Sequence, residues 1–161
     1  MKRLVLIRHA KSSWDLPVLD KERPLAHRGI KDAYLMSEKI LTYLPNSYLF
    51  WSSTAKRASE TAKIFAQNLK CPEELIVFKD ALYTFDEKQL ESEIKKCDDR
   101  FDNLIVFGHN PAITDFVNEY GNIYLDNVTT CGFVSILFEQ NQWGSISKGT
   151  VQKVVFPKDF K

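Results

Sequence analysis

Thiols are scarce in this sequence of 161 residues: Cys71, Cys97 and Cys131 are odd in number, far apart, and in no C-x-x-C pair. That pattern argues against a disulfide framework or a zinc site, and reduced thiols in a cytoplasm are the expectation. Long apolar runs are missing as well. The opening MKRLVLIRHA starts like a secretory leader, but its apolar run, Leu4–Ile7, is too short for a leader core. No later stretch is long enough to span a bilayer. Net charge is close to absent at +1, from 22 basic and 21 acidic side chains, so no nucleic-acid or membrane partner is expected. Internal repeats, low-complexity segments and carboxylate clusters that would read as a metal site are absent too.

What is present is ordinary in amount and informative in order. Apolar residues make up 44% and charged residues 27%, as in soluble globular proteins, and the length suits a single domain over 1–161 with a sizeable core. KRLVLI reads as a buried strand. RGIKDAYLMSEKILTYL reads as a helix with Ile30, Ala33, Ser37, Ile40, Leu41 and Leu44 inward. SYLFWSS, LIVF at Leu75–Phe78 and NLIVFGHN read as further strands. AKRASETAKIFAQNL, EKQLESEIKKC and PAITDFVNEY read as helices, the last with Pro111 in its first turn. GFVSILFE and VQKVVFP, separated by the turn-prone NQWGS, predict a C-terminal hairpin. Strand–helix alternation with short connections predicts an α/β fold: a three-layer α/β/α sandwich with a mainly parallel central sheet.

In such a sheet, ligands bind beyond the carboxyl ends of the strands. Three of those ends are chemically unusual: Arg8-His9 after the first strand, SSTAKR after the second, GHNP after the fourth. Each has a plain explanation. Arg8 can be a surface cation, and His109 a turn residue with Asn110 capping the next helix. Arg57 in a first helical turn opposes the helix dipole, unless a bound anion lies beside it. Taken together the three are harder to dismiss. Two guanidiniums, two imidazoles and a helix N-terminus converging on one rim describe a site for a dianionic phosphate.

At this point the residues resemble a known family. LVLIRHAKS is similar to the signature of the histidine phosphatase superfamily, which has the phosphoglycerate-mutase-like fold. SSTAKRASETA resembles that family's second-arginine motif, and VFGHNP its second-histidine motif, in the family's order. The short chain and ERPLAHRG behind the first motif resemble the small SixA-type phosphohistidine phosphatases. The resemblance implies that His9 is a nucleophile that becomes transiently phosphorylated. It implies that Arg8 and Arg57 clamp the phosphoryl oxygens, that His109 stabilises the transition state, and that Arg23 is a further phosphate contact. No cofactor and no metal are implied, because cationic side chains can do the work that metal ions do elsewhere.

There are departures. Ala10 stands where the family often has Gly, Thr54 where many members have Pro, and Ala26 where Thr or Ser is common. No carboxylate is clearly placed as the proton donor for a leaving group. Asp86 and Glu87 are the candidates, against the plainer reading of a solvated helix start. His27 reads as a surface residue, and Trp14, Trp51 and Trp143 as core or rim packing. The leading expectation is a metal-independent phosphohistidine phosphatase acting on a phosphorylated protein. The alternatives are a small-molecule or phosphopeptide phosphomonoesterase with the same nucleophile, and a non-catalytic phosphate-recognition module. The second histidine argues against the module, since binding alone needs only the arginines. Competing phosphatase chemistries find no support: no Cys is followed six positions later by Arg, and neither D-x-D-x-T nor G-x-x-x-x-G-K-[ST] occurs.

Overall fold

The computed structural model describes residues Met1–Lys161. Four parallel strands, β1 (Lys2–Arg8), β2 (Leu49–Ser53), β3 (Ile76–Lys79) and β4 (Asn103–Gly108), are joined by β5 (Phe133–Phe138) and β6 (Thr150–Val155). They form one six-stranded sheet in the order β3-β2-β4-β1-β5-β6. β5 runs antiparallel to β1 and β6 antiparallel to β5, the hairpin expected at the end of the chain. The expected three-layer α/β sandwich with a mainly parallel central sheet is therefore the one observed.

Alternation along β1 builds both cores. Val5 and Ile7 face one side, where α1 (His27–Lys39) contributes Ala33 and Met36 and α2 (Lys56–Leu69) contributes Ala62 and Phe65. Leu4 and Leu6 face the other, against Leu90 and Ile94 of α3 (Glu87–Ile94) and Ile113 and Phe116 of α4 (Ala112–Tyr120). A central strand coated on both sides needs a continuous apolar run, and each fully buried Leu or Ile contributes about 1.5–3 kcal/mol.

The structure corrects the expected inward face of the first helix. Ile30 and Leu41 are exposed, and the buried stripe runs through Gly29, Asp32, Ala33, Met36 and Ser37. The helix is rotated because its first turn receives the preceding loop at Gly29, where a Cβ would lie 2.1 Å from the Lys11 carbonyl oxygen. The helix is also shorter than the periodicity suggests, giving way to a 3-10 turn at Leu41–Tyr43. Pro111 precedes α4 rather than lying within its first turn. The NQWGS connection is more than a surface turn: Trp143 is fully buried and its indole N–H donates to the Phe101 carbonyl at 2.7 Å. Trp51 is likewise in the core, whereas Trp14 is exposed. No helix is long and apolar enough to cross a membrane.

Candidate active site

Because β1 is flanked by β4, and β4 by β2, the carboxyl ends of these three strands deliver Arg8-His9, His109 and the Ser53–Arg57 turn to one rim. Backbone bonds fix the first two segments together: His9 N–H donates to the Gly108 carbonyl, and Cys131 N–H to the carbonyls of Arg8 and His9. Thr61 ties in the third. Its hydroxyl accepts from Ala10 N–H at 3.0 Å and donates to the Arg57 carbonyl at 2.7 Å. Ala10 is fully buried, so the loop accommodates its methyl group. One residue earlier, Glu60 accepts from Leu25 N–H at 2.8 Å and anchors the segment that carries Arg23.

The nucleophile candidate is fixed in one tautomer. His9 Nδ1 lies 2.7 Å from the Ala10 carbonyl oxygen, which can only accept, so Nδ1 holds the proton and Nε2 keeps its lone pair. Burial, reinforced by Arg57, Arg8 and Arg23 and only partly offset by the Ala10 carbonyl, pushes the His9 pKa down to about 3. The ring is neutral at neutral pH. His109 lies with its ring centroid 5.2 Å from that of His9. Burial, then His9 and Arg57, lower its pKa to about 2. Its Nε2 is 2.8 Å from the Ser53 hydroxyl, while its Nδ1 is buried without a partner. Tyr83 and Phe85 pack edge-on against its ring, at centroid distances of 5.3 and 5.6 Å.

The cations line a cavity of about 280 Å³ that Arg8, His9, Arg23, Arg57 and Asn110 share with Asp20 and Trp14. Arg8 donates to the Val128 carbonyl and keeps a buried Nε with no partner. Arg57 donates twice to Asp20, to its carbonyl at 2.7 Å and its carboxylate at 3.0 Å. Arg23 reaches the other carboxylate oxygen at 3.0 Å, bonds the Ser12 hydroxyl, and stacks on the Trp14 ring at 3.2 Å. Tyr83 donates to Asp20 at 2.5 Å. Burial alone would raise the Asp20 pKa, but Tyr83, Arg57 and Arg23 together bring it down to about 2.

Asp20, Tyr83, Ser53, Glu60 and Thr61 thus belong to the site although the sequence reading did not select them. Glu60 and Thr61 lie inside the quoted ASETA stretch, and their place in it was the available signal. Nothing local marked Asp20 or Tyr83. Asp86 and Glu87 are not among the residues lining this cavity. They line a second cavity beside it, and Asp86 caps α3 by accepting from Gln89 N–H. Asn110 does cap the next helix, its Oδ1 accepting from Thr114 N–H. His27 is exposed at the start of α1.

A sequence model of the histidine phosphatase superfamily (branch 1) matches residues 4–82. That match, over just under half of the chain, agrees with the fold in pointing to the histidine phosphatase superfamily. The protein histidine phosphatase SixA complexed with tungstate superposes with a TM-score of 0.81 at 19% identity, covering 99% of both chains. A putative alpha-ribazole-5'-P phosphatase from Escherichia coli superposes with a TM-score of 0.71 at 15% identity, covering 98% of both. An uncharacterised protein of Mycobacterium tuberculosis is 32% identical over 106 residues, 66% of this chain and 64% of its own length. The match to that relative thus leaves about a third of it outside.

Proposed function

We propose that this protein is a phosphatase that hydrolyses phosphohistidine, with His9 as its nucleophile. The observation that carries the reading is the His9 imidazole held neutral with Nε2 free, among three guanidiniums. In the proposed reaction Nε2 attacks phosphorus in line as the P–N bond to the substrate imidazole breaks. The substrate imidazole, protonated on its other ring nitrogen, takes the bond's electron pair and leaves neutral. Water then attacks the phosphorus on His9, releasing inorganic phosphate and restoring the ring. Arg8, Arg57 and Arg23 balance the charge on the transferring group, with the partnerless Nε of Arg8 as one ready donor. Charge stabilisation by side chains needs no metal, so turnover is expected to persist in a chelator.

The preference for P–N bonds follows from the proton inventory. The carboxyl in the cavity, Asp20, is ionised at neutral pH and committed to Arg57, Arg23 and Tyr83. An alkoxide leaves poorly without a proton donor, whereas imidazole leaves neutral and its conjugate acid titrates near 6.5. The test is side-by-side turnover of phosphohistidine, phosphoramidate, p-nitrophenyl phosphate and a sugar phosphate. The expected order of kcat/KM places the P–N substrates first, the aryl ester between, and the alkyl ester last. A sugar phosphate as best substrate replaces this reading with a phosphomonoesterase using the same nucleophile.

A further inference from the structure

Beside the phosphate cavity, across Phe85, lies a larger one of about 1020 Å³. Phe85 lines both. Asp86, Glu87, Asp115 and Glu119 line the larger cavity, with Tyr124 at its edge and no lysine or arginine among its walls. Compensation from nearby is slight: Lys88 lies 3.7 Å from Glu87 but reaches toward Glu91 as well, and Lys148 bonds the main chain of Glu119. Asp115 and Glu119 stand four apart on α4, a like-charged spacing that costs an isolated helix stability. One Glu87 carboxylate oxygen is buried with no hydrogen-bond partner. A cationic group brought to this cleft would relieve the repulsion among its carboxylates.

Reach says what that group belongs to. His9 is 8% exposed, so a phosphorylated histidine delivers its phosphorus only if the surface bearing it settles on the rim. Residues one helical turn along, about 5.4 Å away, then project past Phe85. A free phosphate or a sugar phosphate would fill the small cavity and leave the large one empty. We propose that the acidic cleft is the docking site for the polypeptide substrate and that it selects a lysine or arginine near the phosphohistidine. Phe85 and the exposed Trp14 frame the phosphate entry, and the carboxylates hold the basic side chain. The inference rests on the phosphohistidine reading above and adds a partner of stated chemistry to it.

The experiment compares two phosphohistidine peptides that differ only at the fourth residue after the histidine, Lys in one and Glu in the other, with phosphoramidate alongside. On the wild-type protein kcat/KM is expected to favour the Lys peptide by about tenfold at low salt, the preference shrinking as salt screens it. In the Asp115→Asn, Glu119→Gln double variant the ratio is expected to approach one. Because it is a ratio on a single preparation, loss of folded protein cancels. Equal turnover of both peptides by wild type, or a ratio unchanged in the double variant, overturns the docking site while leaving the phosphatase reading intact. Failure to hydrolyse phosphoramidate and both peptides overturns both.

Discussion

Phe85 stands between two cavities of opposite charge, and they are built on different principles. On one side Arg8, Arg23 and Arg57 surround a small volume, Arg23 and Arg57 held by Asp20 and Arg8 by a main-chain carbonyl. On the other, Asp115 and Glu119 line a volume more than three times larger, about 1020 against 280 Å³, with only slight compensation from nearby lysines. Arg57 is 3% exposed and its carboxylate partner 44%. Buried cations in fixed bonds suit charge stabilisation in a transition state, where reorganisation is costly. Exposed carboxylates with mobile counter-ions suit recognition, where water and salt compete and affinity is modest.

The comparison is broken most sharply at the proposed nucleophile and its proposed clamp. His9→Ala is expected to abolish turnover, and rapid quenching of the wild type to trap an acid-labile, base-stable phosphate on His9. Arg57→Ala is expected to slow turnover by roughly two to three orders of magnitude, the scale of losing a transition-state donor. Tungstate or vanadate should compete with substrate for the same cations. Phosphate found on His109, or full activity in His9→Ala, would move the chemistry out of the place assigned to it.

Acid separates the two cavities by sign. His9 and His109 have depressed pKa values, so between about 3 and 6.5 the unfolded chain binds protons that the folded one refuses. Stability is thus fully present above 6.5 and lost as pH falls toward 3, by roughly 2 kcal/mol per histidine between pH 7 and 5. Glu87 behaves oppositely. Burial first, then Glu91 and Glu119, raise its pKa against the opposing pull of Lys88, so its contribution is present at low pH and lost as pH rises through the raised value. Thermal melts should show Tm falling from pH 7 to 5, by about 2–4 °C per kcal/mol for a chain of this size. The fall should be shallower in His9→Asn and steeper in Glu87→Gln. A Tm that rises on acidification, or an unaltered slope in His9→Asn, would contradict the buried-neutral histidines.

The two cavities also differ in how far they can be read from sequence. Apolar runs such as Leu4–Ile7 and Leu104–Phe107 give the strand ends away, because a strand covered on both faces has no polar side. Once the ends are known, Arg8, His9, Arg57 and His109 follow from their place just beyond them. Helix rotation was harder. Ile30 fits an apolar stripe as well as Met36 does, and only the contact between Gly29 and Lys11 decides which face turns inward. Asp20 and Tyr83 meet across 63 residues. No local pattern records such a meeting, since it depends on how two loops fold over the sheet edge. The acidic cleft has the same origin: α3 and α4 supply its charges, and only their packing makes one surface of them.

Asp20 supplies the finest distinction, being an acid placed within the basic cavity. Its two carboxylate oxygens accept one N–H each from Arg23 and Arg57, so an arriving dianion competes with it for the same donors. The side chain is exposed enough to turn toward water when displaced, while the two guanidiniums, buried, would be left without a counter-charge in the empty site. Asn at this position keeps one acceptor and removes the competing charge. Asp20→Asn is therefore expected to tighten inhibition by tungstate by about tenfold, equivalent to 1.4 kcal/mol of relieved competition. The comparison is made by measuring Ki against a P–N substrate at fixed salt. A weaker Ki would mean that Asp20 acts chiefly by orienting Arg57, the carboxylate then serving the cavity as a brace and not as the anion it gives way to.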